Sequence, residues 1–359
     1  MTNRTTNGGL IMRRICQFLA IIILLVSPAL IGQKPQALIL SGDYPFTHDP
    51  SIALENGTYY VFATGLAPGG GQLPVRCSKN LTDWKLCGHI FDEIPAWIRQ
   101  ASPHTKELWA PDISYFHGLY HLYYAYSAFG VNASGIALAT NETLDSTSPK
   151  YAWKDQGLVL ESVAADNFNA IDPNIVLDAK GQPWLSFGSF WGGIKMRRID
   201  SATGKPDPAD PKIYSLASRV KPENAQPAKP GLPPDWQAIE APFIVRHGSY
   251  YYLFVSFDLC CRGTKSTYHT MVGRATQVTG PYMDSNGIQM LNGGGTVLLT
   301  ANSRWVGPGG ESILVRPEDD IIVFHAYDAA TGKSALQIST LTWQHGWPHA
   351  ALGTAGESK

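Results

Sequence analysis

Charge is scarce in this chain. Lys, Arg, Asp and Glu make up 16% of 359 residues, and the formal net charge is -1. Nothing in that balance suits a nucleic-acid backbone or an anionic membrane, so neither is expected as a partner. No segment carries the pattern of a long amphipathic helix. Long apolar runs are also missing apart from Phe18 to Val26, which is short for a membrane span. Arg13 and Arg14 precede that run and Ser27-Pro28-Ala29 follows it, which is the pattern of a signal peptide read from Met1 or Met12. Cleavage is placed near Ala29 or as late as Ala37. Residues 1–37 are thus assigned to a signal peptide and N-terminal tail, residues 38–359 to the folded domain, and the protein to a secreted or periplasmic location. Cys16 precedes the apolar run and does not have the place of a lipoprotein cysteine.

Cysteine is sparse too, with five in all and four beyond the signal segment. In an oxidising compartment these are candidates for bridges. Cys77 and Cys87 flank Asn80-Leu81-Thr82-Asp83-Trp84 and read either as a bridge across a turn or as two buried thiols. Cys260 and Cys261 are neighbours, and Cα atoms about 3.8 Å apart across a trans peptide fall below the usual disulfide range. That spacing disfavours a bond between them.

What the chain has in quantity is turn formers and aromatics: 35 Gly, 25 Pro and 11% Phe, Trp and Tyr. They are arranged in a repeat. Asn169-Ala170-Ile171-Asp172-Pro173-Asn174-Ile175-Val176 is echoed, on alignment at Ile175, by segments ending on Ile52, Ile113, Ile244 and Ile313. These isoleucines are spaced 61, 62, 69 and 69 residues apart. After each comes a turn and an aromatic or aliphatic run, such as Tyr59 to Phe62, Tyr120 to Tyr124 or Tyr250 to Phe254. Five such units, none able to bury its faces alone, predict one all-β domain, a five-bladed β-propeller. The Pro-rich stretch from Lys205 to Asp235 reads as a surface excursion, because the repeat resumes in register after it.

The first strand of a propeller blade lines the central channel, so equivalent positions converge on the axis. Asp49, Asp172 and Glu240 sit at or next to one register in three units. Singly, each reads as a strand-start or turn acid. Together they would raise one another's pKa, which is the grouping an acid/base hydrolysis needs. Asp112 is out of phase and reads as structural. An open groove with Trp and Tyr on its walls suits a neutral, ring-shaped ligand.

His48-Asp49-Pro50-Ser51-Ile52, Leu108-Trp109-Ala110-Pro111-Asp112, Asn169-Ala170-Ile171-Asp172-Pro173 and Glu240-Ala241-Pro242-Phe243 resemble glycoside hydrolase family 43. Ser186 to Gly193 and Phe257 to Gly263 resemble its α-1,5-L-arabinanases. The resemblance implies an inverting hydrolase of plant cell-wall arabinan or arabino-oligosaccharides, with Asp49 as general base, Glu240 as general acid and Asp172 as an ionised residue that tunes and orients Glu240. It further implies sugar contacts at Trp109, Asn169, Ser189, Phe190 and Trp191, with Arg274 near the substrate, and His325 beside a calcium ion in the channel. The chain departs from the group after Gly307-Pro308-Gly309, where Gly310-Glu311 replaces His-Asn. An exo-arabinanase, an α-L-arabinofuranosidase and a β-xylosidase are alternatives on the same fold, as is a carbohydrate-binding propeller without catalysis. A monomer is expected.

Overall fold

Hairpins form where the sequence places Gly after a residue tolerant of positive φ. Asn56 and Gly57 (φ 48° and 71°) join Ser51–Glu55 to Thr58–Phe62, and His117 and Gly118 (φ 49° and 79°) join Trp109–Phe116 to Leu119–Tyr126. Positive φ at both central residues matches the right-handed twist of the flanking strands. A computed structural model describes residues 34–229 and 232–354 of the chain. The apolar run and most of the expected signal segment lie outside these residues.

Five antiparallel sheets, each of four strands or more, follow one another along the chain. Their inner strands are Ser51–Glu55, Trp109–Phe116, Asn174–Leu177, Ile239–His247 and Trp305–Leu314. This is the five-bladed propeller. The third inner strand begins at Asn174 and not at Ile171: the left-handed turn at Asp172 (φ 55°) has no ladder pairing before it, unlike the equivalent turns of blades two and four, which are paired on both sides. The Pro-rich stretch is more than an excursion, since Tyr214–Ala217 pairs with Ile194–Asp200 as an outer strand of the third blade.

The core is divided among the blade interfaces. One apolar cluster joins blades one and two through Phe62, Leu108, Leu122 and Tyr124, and a second joins two and three through Tyr123, Leu185 and Phe187. Ile194, Met196, Leu253 and Met290 fill the next, Phe254 and Phe324 the one after, and Val61, Trp84, Val323 and Ile338 close the ring between the fifth blade and the first. The N-terminal segment seals that last joint. Leu38 donates its N–H to Ile338 of blade five, while Ser41–Gly42 pairs in parallel with Asp83 and Trp84 of blade one.

Polar pins reinforce these joints in the repeat's own register. The residue before the anchoring isoleucine reaches forward to the isoleucine N–H of the next blade. Ser51 Oγ accepts from Ile113 (3.0 Å), Asp112 Oδ2 from Ile175 (2.8 Å), Asn174 Oδ1 from Ile244 (2.9 Å) and Ser312 Oγ from Ile52 (3.3 Å). Phe243 holds this place in blade four and has no acceptor to offer. Asp112 is thus one pin of a ring.

Both cysteine pairs are bonded. Cys77 and Cys87 bridge neighbouring strands with Cα atoms 6.0 Å apart. The expectation against a Cys260–Cys261 bond is corrected: the two sulfurs are joined in the tight loop between the second and third strands of blade four, where Cys261 takes φ 63°.

Candidate active site

Three residues before each isoleucine the backbone turns left-handed, at Asp49 (46°), Ala110 (39°), Asp172 (55°), Ala241 (52°) and Gly310 (60°). Non-glycine residues rarely adopt this region, and Asp tolerates it better than Ala because its side chain can hydrogen-bond locally. The turn aims this residue and its predecessor at one mouth of the channel. Four of the five N–H groups here are held by a side chain of the preceding blade. Asp49 donates to His325 Nδ1 (3.2 Å), Ala110 to Thr64 Oγ1 (2.7 Å), Ala241 to Asp172 Oδ2 (3.0 Å) and Gly310 to Ser256 Oγ (3.0 Å).

The carboxyls gathered at this mouth form the floor of a cleft of about 710 Å³, lined also by His48, Trp109, Phe129, Asn169, Ser189, Phe190, Trp191, Cys260, Cys261 and Tyr268. Its volume is in the range of a ligand site. Trp109, Asn169, Ser189, Phe190 and Trp191 thus stand where the sequence reading puts them. Phe190 and Trp191 carry consecutive positive φ values (51° and 43°), which present both rings at the cleft wall. Ser189 donates to Glu240 Oε2 at 2.7 Å.

Arg274 is a correction. It does not line the cleft; its guanidinium lies over the rings of Tyr250 and Trp347 and donates to the Gly346 carbonyl at 2.7 Å. The side chain clamps the C-terminal hairpin to blade four. Its place in the strand, opposite Tyr252, is several residues from the catalytic end marked by Ser256 and Thr270.

The electrostatics split the acids. Burial alone would push the Asp49 carboxyl up, but His48 Nδ1 at 2.9 Å, the nearby His325 and the Thr64 hydroxyl at 2.6 Å hold it far below the usual carboxylate range. The His48 pKa rises in turn: burial works to lower it, and the charge of Asp49 outweighs that. Its Nε2 meets the Tyr327 hydroxyl at 2.6 Å. Glu240 is raised, by burial first, against hydrogen bonds from Ser189 and Tyr268, with the Asp49 charge adding to the rise. Asp172 is raised well above its ordinary value by burial, then by Glu240 and Asp49. This corrects the expectation of an ionised Asp172. Neighbouring carboxyls shielded from water resist ionising together, so the Asp172–Glu240 pair holds protons more firmly than free carboxyls do, and Asp49 less firmly.

His325 is fully buried and stacks on His48 with ring centroids 3.7 Å apart. With His48 and Asp49 it forms the group whose nitrogen and oxygen atoms lie within 4.8 Å of one another. Two imidazoles and one carboxylate do not make the oxygen set calcium prefers. His325 Nε2 is buried and has no hydrogen-bond partner among the described residues. Because Nδ1 accepts from Asp49, Nε2 carries the hydrogen in this arrangement. An ion at Nε2 requires that hydrogen to move to Nδ1, which lies 3.6 Å from Asp49 Oδ1.

Sequence reading passed over His48, Thr64, Phe129, Tyr268 and the Cys260–Cys261 pair. His48 could have been found from its place directly before Asp49. Phe129 is 80% exposed and edge-on to Trp109, and its signal was an aromatic in a Gly-containing loop with no strand pattern to bury it. Tyr268 lies outside the repeat, and only the fold brings it to Glu240.

A cleft that sets a carboxyl of lowered pKa beside two of raised pKa, between aromatic walls, suits a hydrolase of the acid/base glycosidase type. The Glycosyl hydrolases family 43 model matches residues 39–348, and the chain belongs to that family. An extracellular exo-α-(1→5)-L-arabinofuranosidase of Cellvibrio japonicus is 44% identical over 309 residues, 84% of this chain and 85% of the relative. An extracellular endo-α-(1→5)-L-arabinanase of Bacillus subtilis is 42% identical over 303 residues, 84% of this chain and 86% of the relative. The solved endo-arabinanase of Bacillus licheniformis superposes with a TM-score of 0.76 at 45% identity, covering 87% of this chain and 99% of that one.

Proposed function

We propose that the protein is a secreted hydrolase of α-1,5-L-arabinofuranosidic bonds in arabinan, acting with inversion. The observation that carries this reading is the opposite displacement of Asp49 and Glu240 at the floor of one cleft. Asp49, kept ionised by His48 and Thr64, draws the proton from the attacking water. Glu240, kept protonated by burial and by the Asp49 charge, delivers its proton to the glycosidic oxygen. Asp172 accepts the Ala241 N–H and so fixes the backbone beside Glu240, while its own retained proton keeps a second negative charge from the pair. Trp109, Phe190 and Trp191 offer faces for the furanose rings, and Asn169 and Ser189 polar contacts. Inverting enzymes hold the two carboxyls about 6.5–9.5 Å apart to admit water. Proton NMR of the first-formed product is expected to show the inverted anomer; the substrate's own configuration would overturn the roles given to Asp49 and Glu240. The names of the extracellular relatives support secretion, and the arabinanase names support arabinan. A cation coordinated by His325, its Nε2 hydrogen having moved to Nδ1, belongs to the same proposal.

Cleavage within the chain is the first reading. Cleavage from an end is favoured by one observation: Leu232, from the Pro-rich stretch, packs against Gly130 where both line the cleft, narrowing it there. The products of linear arabinan decide: mixed short oligomers mean internal cutting, and a single product means cutting from an end.

A further inference from the structure

Apart from the anchoring isoleucine itself, the five inner strands agree at one place more than at any other. The residue two before the isoleucine is Pro50, Pro111, Pro173 and Pro242 in four blades, and Glu311 in the fifth. The architecture is therefore satisfied by proline here, and a buried carboxyl in its place calls for another explanation. Glu311 is 5% exposed. Its Oε2 lies 3.2 Å from Ser256 Oγ and 3.3 Å from Thr270 Oγ1, both of blade four, and its Oε1 is buried without a partner. Ser256 pairs with Glu240 across the ladder of blade four, and its oxygen also takes the Gly310 N–H at 3.0 Å. The Tyr268 hydroxyl faces both the Ser256 hydroxyl and the Glu240 carboxyl.

These contacts form a chain: Glu311, Ser256, Tyr268, Glu240. We infer that Glu311 is a positioning residue for the proposed general acid, setting through the Ser256 hydroxyl the orientation of the Tyr268 hydroxyl that steadies Glu240 as it gives up its proton. Burial raises the Glu311 carboxyl to about 8, so below that pH it carries a hydrogen that it gives to Ser256 Oγ; Ser256 then turns its own single hydrogen to the Tyr268 oxygen, which leaves the phenol hydrogen for Glu240. A phenol hydrogen turned toward Glu240 bonds most strongly to the carboxylate that appears on proton transfer, so it acts in the transition state more than in the ground state. Thr270 Oγ1 gives its own hydrogen to the same Glu311 oxygen. The inference rests on the reading of Glu240 as the acid.

The test compares kcat/KM on linear arabinan with that on an aryl arabinoside whose acidic phenol leaves without protonation. Tyr268→Phe and Glu311→Leu are each expected to lose about tenfold more on arabinan than on the aryl substrate, the order of one hydrogen bond to a charged group. Combined, they should widen that ratio no further than Tyr268→Phe alone, because both break one chain. Glu311→Gln keeps a hydrogen for Ser256 and should stay near the unmodified ratio. Equal losses on both substrates, or additive ratios, overturn the inference and leave Glu311 a packing residue. Should Glu311→Leu not fold, the straight-chain Glu311→Met and the link variant Ser256→Ala carry the same comparison. Glu240→Gln is run alongside: if it shows no difference between substrates, the reading of Glu240 fails and this inference with it. If Glu240→Gln shows the difference and the Glu311 and Tyr268 variants do not, this inference alone fails.

Discussion

Asp112 and Asp172 invite comparison. Asp112 lies on the inner strand of blade two and Asp172 just before that of blade three, and shielding from water raises both. Asp112 stands one residue before its isoleucine, and both its oxygens are taken: Oδ2 by the Ile175 N–H at 2.8 Å and Oδ1 by Asn174 Nδ2 at 3.1 Å. Asp172 stands three before its isoleucine, where the left-handed turn carries it to the cleft, and its charge is contested by Glu240 and Asp49. Two positions along one strand separate a pin from a member of the reacting cluster. Acidity and a raised pKa are shared; what differs is that both oxygens of Asp112 are committed to the frame, whereas Asp172 commits Oδ2 to the Ala241 N–H and faces other carboxyls at the cleft.

The strongest way to sharpen this contrast is at the rim. Glu240→Gln is expected to lose about 10²–10⁴-fold on arabinan and far less on an aryl arabinoside, whereas Asp49→Asn should lose on both alike, since each substrate needs an activated water. Sparing of Asp49→Asn on the aryl substrate would reverse the two roles. The pH profile of the unmodified enzyme carries the same signs. With Glu240 raised, the rate falls as pH climbs through its pKa, and with Asp49 depressed the acid limb lies well below the ordinary carboxylate range.

Gly310→Ala comes next. A Cβ there lies 2.8 Å from Asp49 Oδ1 and 2.9 Å from His325 Nδ1, at a residue with φ of 60°. Displacing the base should lower kcat on both substrates, by up to about a hundredfold for a shift near 1 Å. Unchanged kcat would mean that Asp49 tolerates the shift and is not held for chemistry.

Asp112→Asn should leave kcat/KM on arabinan essentially unchanged and alter only stability. Asp112 is pushed from 3.8 to about 7 in the fold, so its favourable contribution is complete below pH 3.8 and is lost as pH rises through about 7. The melting temperature of the unmodified protein should therefore fall relative to Asp112→Asn between these limits. A large loss of activity in this variant would place Asp112 with the rim and dissolve the contrast.

The smallest effect is expected from chelation, which should lower the melting temperature and rate modestly if a cation sits at His325 Nε2. No change in either would remove the ion from the proposal.

The five-unit architecture, the register of Asp49, Asp172 and Glu240, and the aromatic residues of the cleft were legible in the chain because each lies inside the repeat. A repeat reports its own geometry: equivalent residues occupy equivalent places on adjacent blades. Even the pins follow from it once the residue before each isoleucine is compared. What the repeat could not report are contacts made by residues outside it. Tyr268 and Phe129 reach the cleft on loops, Arg274 leaves the expected substrate side for a stack with Tyr250 and Trp347, and Cys260 bonds Cys261 in a turn whose backbone the spacing alone did not foretell. The protonation of Asp172 likewise depends on distances between blades far apart in sequence, set by the closing of the ring. Order along each strand belongs to the sequence; which residues face one another across the blades was decided by the tertiary structure, because packing at five interfaces sets those separations together.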